Sequence, residues 1–486
     1  MTVIPFAAWE PDKAELNGQG VGDILNVLCS TASYLPFPDL VSFTAALAAQ
    51  PLGYFTARSL SGQVTIFAGT AAKLYKLDNT TLTWTDISKP ATTYAANIDA
   101  RWSFEQFGDY VVAVNINDNP QVFQLGVSAT FDNLAGSPPK AAFVKAWGDF
   151  LCLLQLGTNA NRVHWSALND ITGWTPGTNN SDFQDFPEGG IVQGSSRATS
   201  PLVILESAIY AATFVPGSPI IFTFVKIHDK RGAKSPYSIA SRGENIFFAD
   251  EGSFFQMGAD GSILDIGFEK VSRTIFGQVA AADVAAMVGA IDPFYSRVYW
   301  TMDLTGAGIY DSIIVYDWLQ ARWAIASQTN QGIFPAATAG YTLEGLDAVS
   351  ATLDALPYSL DSKVWQGGAP VLAAFGSDFT LGFFNGTNKQ ATLTTQEQGD
   401  LSGGITLISS MYPVVDNNNC TMAIGSRFLR GDVITWTAEI SPTADTGRYD
   451  QLNAARFQSV RVTIPAGETW SHAQGVEINA KAAGKR

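Results

Sequence analysis

The sequence predicts an all-β protein: a β-propeller of six or seven irregular blades with a smaller β platform or sandwich module at the C-terminus. Short apolar runs rich in Val, Ile, Phe, Tyr and Trp alternate with turns of Asn, Asp, Gly, Pro and Ser, a pattern typical of strands. Helical periodicity is limited to 40–49 and 280–290, where short helices are predicted. A turn followed by an apolar strand recurs about every 40 residues, which is the length of a propeller blade.

The recurring unit is clearest where a glycine opens the turn. It reads GTAAKLYKL from Gly69, GDYVVAV from Gly108 and GDFLCLL from Gly148. Later copies, such as GENIFFAD from Gly243, follow at irregular intervals, which indicates insertions in the loops. A set of stacked sandwiches is the alternative architecture for the same strands.

The chain divides into three predicted regions. Residues 1–50 form a proline-containing N-terminal arm that is expected to pack on the platform, and residues 51–385 form the propeller. Residues 386–486 form the C-terminal β platform module, because their strand-like segments lie outside the repeat. The final AKAAGKR is basic and is predicted to be flexible.

Composition restricts the classes of function. The chain has 486 residues, of which 46% are apolar, and it carries a net charge of −15. A sequence pI near 4.6 argues against tight nucleic-acid binding through a basic face. Charged residues make up only 15% of the chain, against about 25% in an average globular protein. We therefore expect much of the surface to be buried against partners.

Patterns for metal, cofactor and membrane binding are missing from the sequence. The three cysteines, Cys29, Cys152 and Cys420, lie far apart and are expected to be buried thiols of a protein made in a reducing compartment. No paired Cys or His spacing, calcium loop or phosphate-binding loop occurs, so neither a metal nor a cofactor is predicted. The N-terminus does not resemble a signal peptide, and no apolar run reaches the length of a membrane helix.

The sequence also predicts no catalytic residues. Only three histidines could serve as a base, and no serine lies in a nucleophile elbow. His164 falls inside a strand pattern, between Val163 and Trp165, where a structural histidine is expected.

The main alternative is a propeller that binds or cleaves glycans. The segment 166–174 loosely resembles the turn motif of propeller glycosidases through Ser166, Asp170, Gly173 and Trp174, although the spacing differs. Glycosidases need two carboxyl groups about 5–9 Å apart. The candidate pairs are Asp250 with Glu251 and Asp182 with Asp185. A propeller that serves as a monomeric scaffold for protein partners is a third possibility.

Particular residues have structural roles in the leading interpretation. The pairs Gly108-Asp109 and Gly148-Asp149 are predicted to form tight turns, with glycine at positive φ and aspartate making an Asx-type hydrogen bond. Trp102, Trp165, Trp300 and Trp323 are expected to pack between blades or strands. Phe107 and Trp174 are further residues with a predicted structural role.

Several segments recur in the order found in one protein family. The arm contains WEPDKAELNGQG and then ILNVLCSTASYLPFPDL; residues 101–125 contain Trp102, Phe107, Gly108 and Asp109 at the family's spacing. The segment 161–174 and the segment 448–478 extend the match, whereas 330–400 aligns poorly. In this order the segments resemble the tail nozzle (tail hub, or tubular tail) protein of short-tailed bacteriophages.

The resemblance implies a structural virion protein assembled in the host bacterial cytoplasm. A nozzle protein is a β-propeller on a β platform, and six copies form a ring around a channel. The homo-hexamer docks under the portal–adaptor complex, retains packaged DNA until ejection, and carries tail fibres or spikes outside. Double-stranded DNA would pass without sequence-specific binding. Arg456 and Arg461 are the predicted platform or adaptor contacts.

Overall fold

The computed structural model describes residues 2–13, 20–21, 23–196, 201–341, 346–347, 349–350, 352–356, 358–368, 370–399 and 404–485. Strands make up 50% of the structure and helices 4%, and most strands belong to small antiparallel sheets. The predicted all-β, propeller-like fold is therefore confirmed.

Five four-stranded antiparallel sheets follow one another along the chain, each with its strands in sequence order. The N-terminal strands that precede them are β1 (Thr2–Pro5), β2 (Ile24–Leu25), β3 (Val27–Cys29), β4 (Tyr34–Pro36) and β5 (Pro38–Ala46). Blade 1 consists of β6 (Tyr54–Arg58), β7 (Val64–Gly69), β8 (Leu74–Leu77) and β9 (Trp84–Asp86). Blade 2 consists of β10 (Ser103–Phe107), β11 (Tyr110–Val114), β12 (Gln121–Gln124) and β13 (Asp132–Asn133).

The next three blades repeat this arrangement. Blade 3 consists of β14 (Ala141–Trp147), β15 (Phe150–Leu156), β16 (Asn159–Trp165) and β17 (Asp182–Asp185). Blade 4 consists of β18 (Val192–Ser195), β19 (Leu202–Leu205), β20 (Ile209–Phe214) and β21 (Phe222–His228). Blade 5 consists of β22 (Ala240–Arg242), β23 (Asn245–Ala249), β24 (Phe254–Met257) and β25 (Ile263–Asp265).

A seven-stranded sheet supplies two further blades. Its strands along the chain are β26 (Val288–Ile291), β27 (Arg297–Met302), β28 (Tyr310–Asp317), β29 (Arg322–Ala337), β30 (Pro370–Gly376) and β31 (Thr380–Asn388). The first half of β29 pairs with β28 and its second half pairs with β30, so this strand is the outer strand of blade 6 and the inner strand of blade 7. The register shifts between Asn330 and Gly332, and Gly332 has a φ of 143°, which allows the chain to bend there.

The outermost strand of blade 7 comes from the other end of the chain. Strand β5 pairs antiparallel with β31, so the N-terminal segment closes the propeller. The helix predicted over 40–49 is therefore wrong: the open edge of β31 stabilises an extended partner, and tertiary context overrides local propensity. Within the described part of the chain, short helices include α1 (Ser272–Phe276), α2 (Ala281–Ala286) and α3 (Lys363–Gln366), with 3-10 turns at Pro236–Ser238 and Leu353–Ala355.

Apolar clusters fill the space between successive blades. One cluster joins Phe67 of blade 1 to Phe123 of blade 2, and another joins Val114 of blade 2 to Leu151 of blade 3. The cluster around Phe43 packs blade 7 against blade 1. The central strands of the blades, such as β15, β19 and β27, are buried on both faces, so they read as almost continuous apolar runs.

Two six-stranded sheets form a β-sandwich from both ends of the chain. The C-terminal strands are β32 (Ala391–Thr394), β33 (Gln398–Gly399), β34 (Gly404–Val415), β35 (Thr421–Arg427), β36 (Thr435–Trp436), β37 (Tyr449–Ala455), β38 (Phe457–Ile464) and β39 (Ala473–Lys485). One sheet contains β1, β3, β4, β34, β37 and β39; the other contains β2, β32, β33, β35, β36 and β38. The tail expected to be flexible continues β39, which pairs with β34 as far as Lys485.

The sandwich shares its core with the propeller. Residues of both sandwich sheets and of blades 5 and 6 belong to one apolar cluster, which contains Tyr34, Met411 and Trp323. Asn26 N–H donates to the carbonyl of Ile325 in β29 at 2.9 Å. Residues 1–50, which the sequence analysis treats as one arm, thus supply strands to the two sandwich sheets and to blade 7.

One turn of blade 6 predicts a measurable pH dependence. Burial alone would raise the pKa of Asp303, but backbone N–H groups donate to its carboxylate from Gly308, Ala307, Gly306 and Thr305, and the pKa is lowered overall. A lowered pKa contributes stability that is complete above the ordinary carboxyl pKa and is lost as pH falls through the folded-state pKa.

Replacing Asp303 by asparagine is therefore expected to lower the free energy of unfolding by about 1–3 kcal/mol at neutral pH, because the turn loses acceptors. The difference between variant and parent should shrink below about pH 4. Chemical denaturation at pH 7 and pH 3 measures both values. A difference that is the same at both pH values would contradict the assignment.

Candidate functional site

The Gly-Asp pairs form two-residue hairpins at the inner edge of blades 2 and 3. Gly108 has a φ of 59° and connects Phe107 to Tyr110, which face each other in the ladder. Gly148 has a φ of 56° in the equivalent hairpin of blade 3. The Asx-type bond predicted for Asp109 gives way to a bond between blades. The Asp109 carboxylate accepts from Leu60 N–H at 3.1 Å, because the hairpin of blade 1 lies beside it. Asp149 contributes its carbonyl, which accepts from Asn169 N–H at 2.9 Å.

The predicted tryptophans are buried between blades. Trp102 packs in the cluster between blades 1 and 2, and its indole N–H donates to Thr70 at 2.9 Å. Trp165 lies between blades 3 and 4 and donates to the carbonyl of Asn180. Trp174 lies between blades 2 and 3 and donates to Ile171. Phe107 packs beside the same cluster as Trp174. These rings serve packing because their faces are covered.

The loop that resembles a glycosidase turn is held by its own hydrogen bonds. Asp170 accepts from the N–H and hydroxyl of Thr172, and these bonds lower the pKa of its carboxyl. His164 lies in β16 with its ring 5.5 Å from that of Trp174, and burial lowers the pKa of the imidazole.

Three of the four carboxylates named for the glycan-cleaving alternative lie beside cationic side chains. Asp185 forms a two-bond pair with Arg162, at 2.5 and 2.7 Å, whereas Asp182 lies three residues earlier on β17 and so points to the opposite face. Asp250 lies 3.6 Å from Arg231, and Glu251 lies 3.1 Å from Lys234. Among the described residues, no group of three or more metal-ligating side chains converges, and no helix is long and apolar enough to cross a membrane.

The two predicted platform arginines lie on the sandwich. Arg461 extends from β38, where its guanidinium bonds to Asp23 at 2.5 Å and covers the ring of Trp436 at 3.9 Å. This side chain thus joins the N-terminal segment to the C-terminal sheet. Arg456 lies half-buried at the hairpin between β37 and β38.

The connection between β35 and β36 was not singled out by the sequence analysis. It presents an apolar protrusion of three side chains: Phe428 is 50% exposed, Leu429 61% and Val433 89%. We call residues 428–433 the apolar loop. Scattered exposed apolar residues are ordinary, but three on one short connection mark an interaction surface.

An internal ion pair holds the apolar loop in shape. Arg427 bonds to both oxygens of the buried Glu397, at 2.6 and 2.7 Å. Its remaining amine donates to the carbonyls of Arg430 and Asp432 inside the loop. The loop is therefore preorganised, and little conformational entropy remains to be lost when a partner binds it.

A recess shares no residue with the apolar loop and lies where β4 and β5 meet the loops of blades 6 and 7. Its volume is about 1160 Å³. Phe294 and Tyr295 line it and are 47% and 57% exposed. The buried indole N–H of Trp470 also lines it and donates to no acceptor among the described residues. The recess offers apolar surface together with an unused hydrogen-bond donor.

Comparison with known proteins adds little to this description. No family model matches the chain, and no curated protein is similar to it in sequence. The extracellular domain of BT4673 from B. thetaiotaomicron is similar over 82% of this chain and 47% of that one, with 12% identity and a TM-score of 0.41. A computationally designed protein, Ika8, covers 76% of this chain and 98% of its own, with 8% identity and a TM-score of 0.38.

A chain of a mitotic checkpoint complex gives a similar result, at 8% identity and a TM-score of 0.40 over 76% of this chain and 96% of that one. All three scores are below 0.5, so the propeller-like architecture rests on the sheets of this chain themselves.

Proposed function

We propose that this protein is a structural subunit of a ring in the tail of a short-tailed bacteriophage: a hexameric nozzle under the portal–adaptor complex that retains DNA and forms its exit channel. The observation that carries the proposal is the pair of dissimilar surfaces, one protruding and one recessed, on a propeller–sandwich chain. The ordered sequence resemblance supports the identification of the ring as a nozzle.

A closed ring of identical subunits needs two different surfaces that bind each other. A head-to-tail contact repeats around the ring and closes it, whereas a two-fold contact uses one self-complementary surface. The apolar loop and the recess provide such a pair, because three apolar side chains protrude from the first and Phe294 and Tyr295 are exposed in the second. In the proposed ring, the apolar loop of one copy enters the recess of the next.

The charge distribution agrees with this arrangement. The apolar loop contains the exposed Arg430 and also Asp432, whose carboxylate accepts from Leu429 N–H within the loop. The recess is lined by the exposed Asp361, which could pair with Arg430. Opposite charges at the rim of an interface favour the correct register. The low share of charged residues, 15%, also suits a chain that buries large lateral surfaces.

Electron cryomicroscopy of the particle that carries this chain tests the assignment. Six copies around the tail axis, below the adaptor, are expected. Peripheral trimers, or a position away from the axis, would overturn the nozzle proposal and would favour a glycan-binding or glycan-cleaving appendage.

A charge in the apolar loop is expected to abolish ring assembly. Leu429→Asp and Val433→Asp each place a carboxylate in the proposed contact, which should cost about 2 kcal/mol per interface, or about 30-fold in its association constant. Particles built with either variant should lack the ring. The melting temperature of the subunit should not change, because both side chains face solvent.

Leu60→Asp is the matched control, since Leu60 is 87% exposed on the propeller hairpin between β6 and β7, outside both surfaces. Assembly by this variant should equal that of the parent. Normal rings from Leu429→Asp and Val433→Asp would refute the proposed contact without refuting the position of the chain in the tail.

A further inference from the structure

A second cavity lies on the axis of the propeller. Its volume is about 620 Å³, and residues of β6, β10, β14, β18, β22, β26 and β29 line it. These are the innermost strands of the seven blades, so the cavity is the space that the blades enclose. A volume of this size holds a small molecule.

The charge of this cavity is opposite to that of the chain. Arg101, Lys145 and Arg242 are in its lining, and none of the described residues that line it is acidic. Lys145 is paired with the buried Glu105 behind the lining, at 3.7 Å, so the two arginines carry the uncompensated charge of the cavity. The whole chain, by contrast, carries a net charge of −15. Arg242 is exposed, and one of its amines donates to the carbonyls of Asp292 and Tyr295. Basic side chains gathered in a low-dielectric cavity attract anions.

Arg101 is the buried cation of this cavity. It is 7% exposed; its Nε donates to Ile98 and one amine donates to Ala286 and to the hydroxyl of Tyr310. The ring of Tyr237 lies 4.6 Å from the guanidinium. Within the described residues, no carboxylate lies within 4.0 Å of it, and its Nη1 amine donates to no acceptor. A buried charge without a counter-charge is costly.

Other enclosed arginines of the chain do have carboxylate partners. Arg297 lies 3.6 Å from Asp317, and Arg427 lies 2.6 Å from Glu397. The fold therefore neutralises enclosed guanidinium groups elsewhere but leaves Arg101 facing the cavity with a free amine. A ligand can supply the missing charge.

The rest of the lining is largely apolar. Phe104, Phe143 and Phe334 contribute aromatic surface, and Gln193 adds an amide. Aromatic side chains bury large apolar areas of a bound molecule. We propose that the axial cavity binds a small organic anion whose apolar body packs on these rings and whose carboxylate or phosphate accepts from Nη1 of Arg101. This inference does not depend on the proposed ring.

Calorimetric titration of the full chain with four probes tests the proposal: benzoate, phenyl phosphate, benzamide and acetate. Benzoate or phenyl phosphate should bind at least about tenfold more tightly than neutral benzamide, because only an anion compensates Arg101. Whichever of the two binds more tightly shows whether the cavity prefers a carboxylate or a phosphate. Acetate should bind more weakly than benzoate, since it lacks the apolar body.

Arg101→Gln should weaken the binding of benzoate and phenyl phosphate at least about tenfold and leave the affinity for benzamide unchanged. The control is Arg448→Gln, since Arg448 lies on the sandwich beside Asp450, and it should bind as the parent does. Equal affinity for benzoate and benzamide, absence of binding by both anions, or full binding by Arg101→Gln would overturn the proposal. If Arg101→Gln does not fold, the comparison of anion with benzamide on the unchanged protein decides the question alone.

Discussion

Phe43→Ala is expected to lower the free energy of unfolding by about 3–5 kcal/mol, the usual cost of removing a buried aromatic ring. Phe43 is 5% exposed on β5, the strand that closes the propeller. Its ring lies 5.2 Å from that of Phe383 and 5.9 Å from that of Trp365. The same cluster reaches Ile66 of blade 1, so the lost ring weakens both the edge of blade 7 and the contact that completes the circle.

Denaturant unfolding of the whole chain measures this loss. The control is Phe428→Ala, which removes the same ring from a position that is 50% exposed, and its cost should be well below that of Phe43→Ala. Hydrogen exchange should accelerate first in β5 and β31 of the Phe43 variant. A loss below about 1 kcal/mol, with unchanged exchange in β31, would mean that the closing strand contributes little.

Arg427→Met is expected to destabilise the sandwich by about 3–5 kcal/mol, because it leaves the carboxylate of Glu397 buried without its cation. Glu397 is 1% exposed, and Arg427 is the partner of both its oxygens. The variant also releases the carbonyls of Arg430 and Asp432, so the apolar loop loses its fixed shape. Ring assembly should therefore fall together with stability.

The double variant Glu397→Gln with Arg427→Met separates the two effects. Removing both charges should recover much of the stability, since no buried charge remains unpaired, but it should not restore assembly. The control is Lys73→Met in the exposed pair with Asp86, which should change stability by less than about 1 kcal/mol. Full assembly by the double variant would show that the loop needs no arginine to hold it.

The local features of the fold were accessible from the sequence. Gly108 and Gly148 predicted tight turns because only a residue without a Cβ adopts positive φ at low cost, and both residues lie in such turns. The apolar runs around Val112 and Leu153 predicted buried strands, and both residues are fully buried. Helix α2 falls within the predicted stretch 280–290.

The candidate site was largely hidden from sequence reasoning. The apolar loop has the sequence FLRGDV, whose exposure depends on which neighbours cover it. Three apolar residues near Gly431, a residue typical of turns, could have indicated an exposed apolar turn. The same pattern is also found at the end of a buried strand, so the sequence does not distinguish the two. Likewise, nothing local in the sequence distinguishes Arg101, which lacks a carboxylate partner, from Arg427, which has one.

The all-β class, the hairpins and the buried strands follow from local sequence, because they depend on side-chain alternation and on backbone freedom within a few residues. Three features depend instead on long-range contacts: β5 closes blade 7, both ends of the chain build one sandwich, and β29 belongs to two blades. Each of these pairings joins distant segments, such as Val41 and Phe383. These pairings are stabilised by apolar side chains that both segments bury and by hydrogen bonds between the two strands. Both contributions exist only once the two segments have come together.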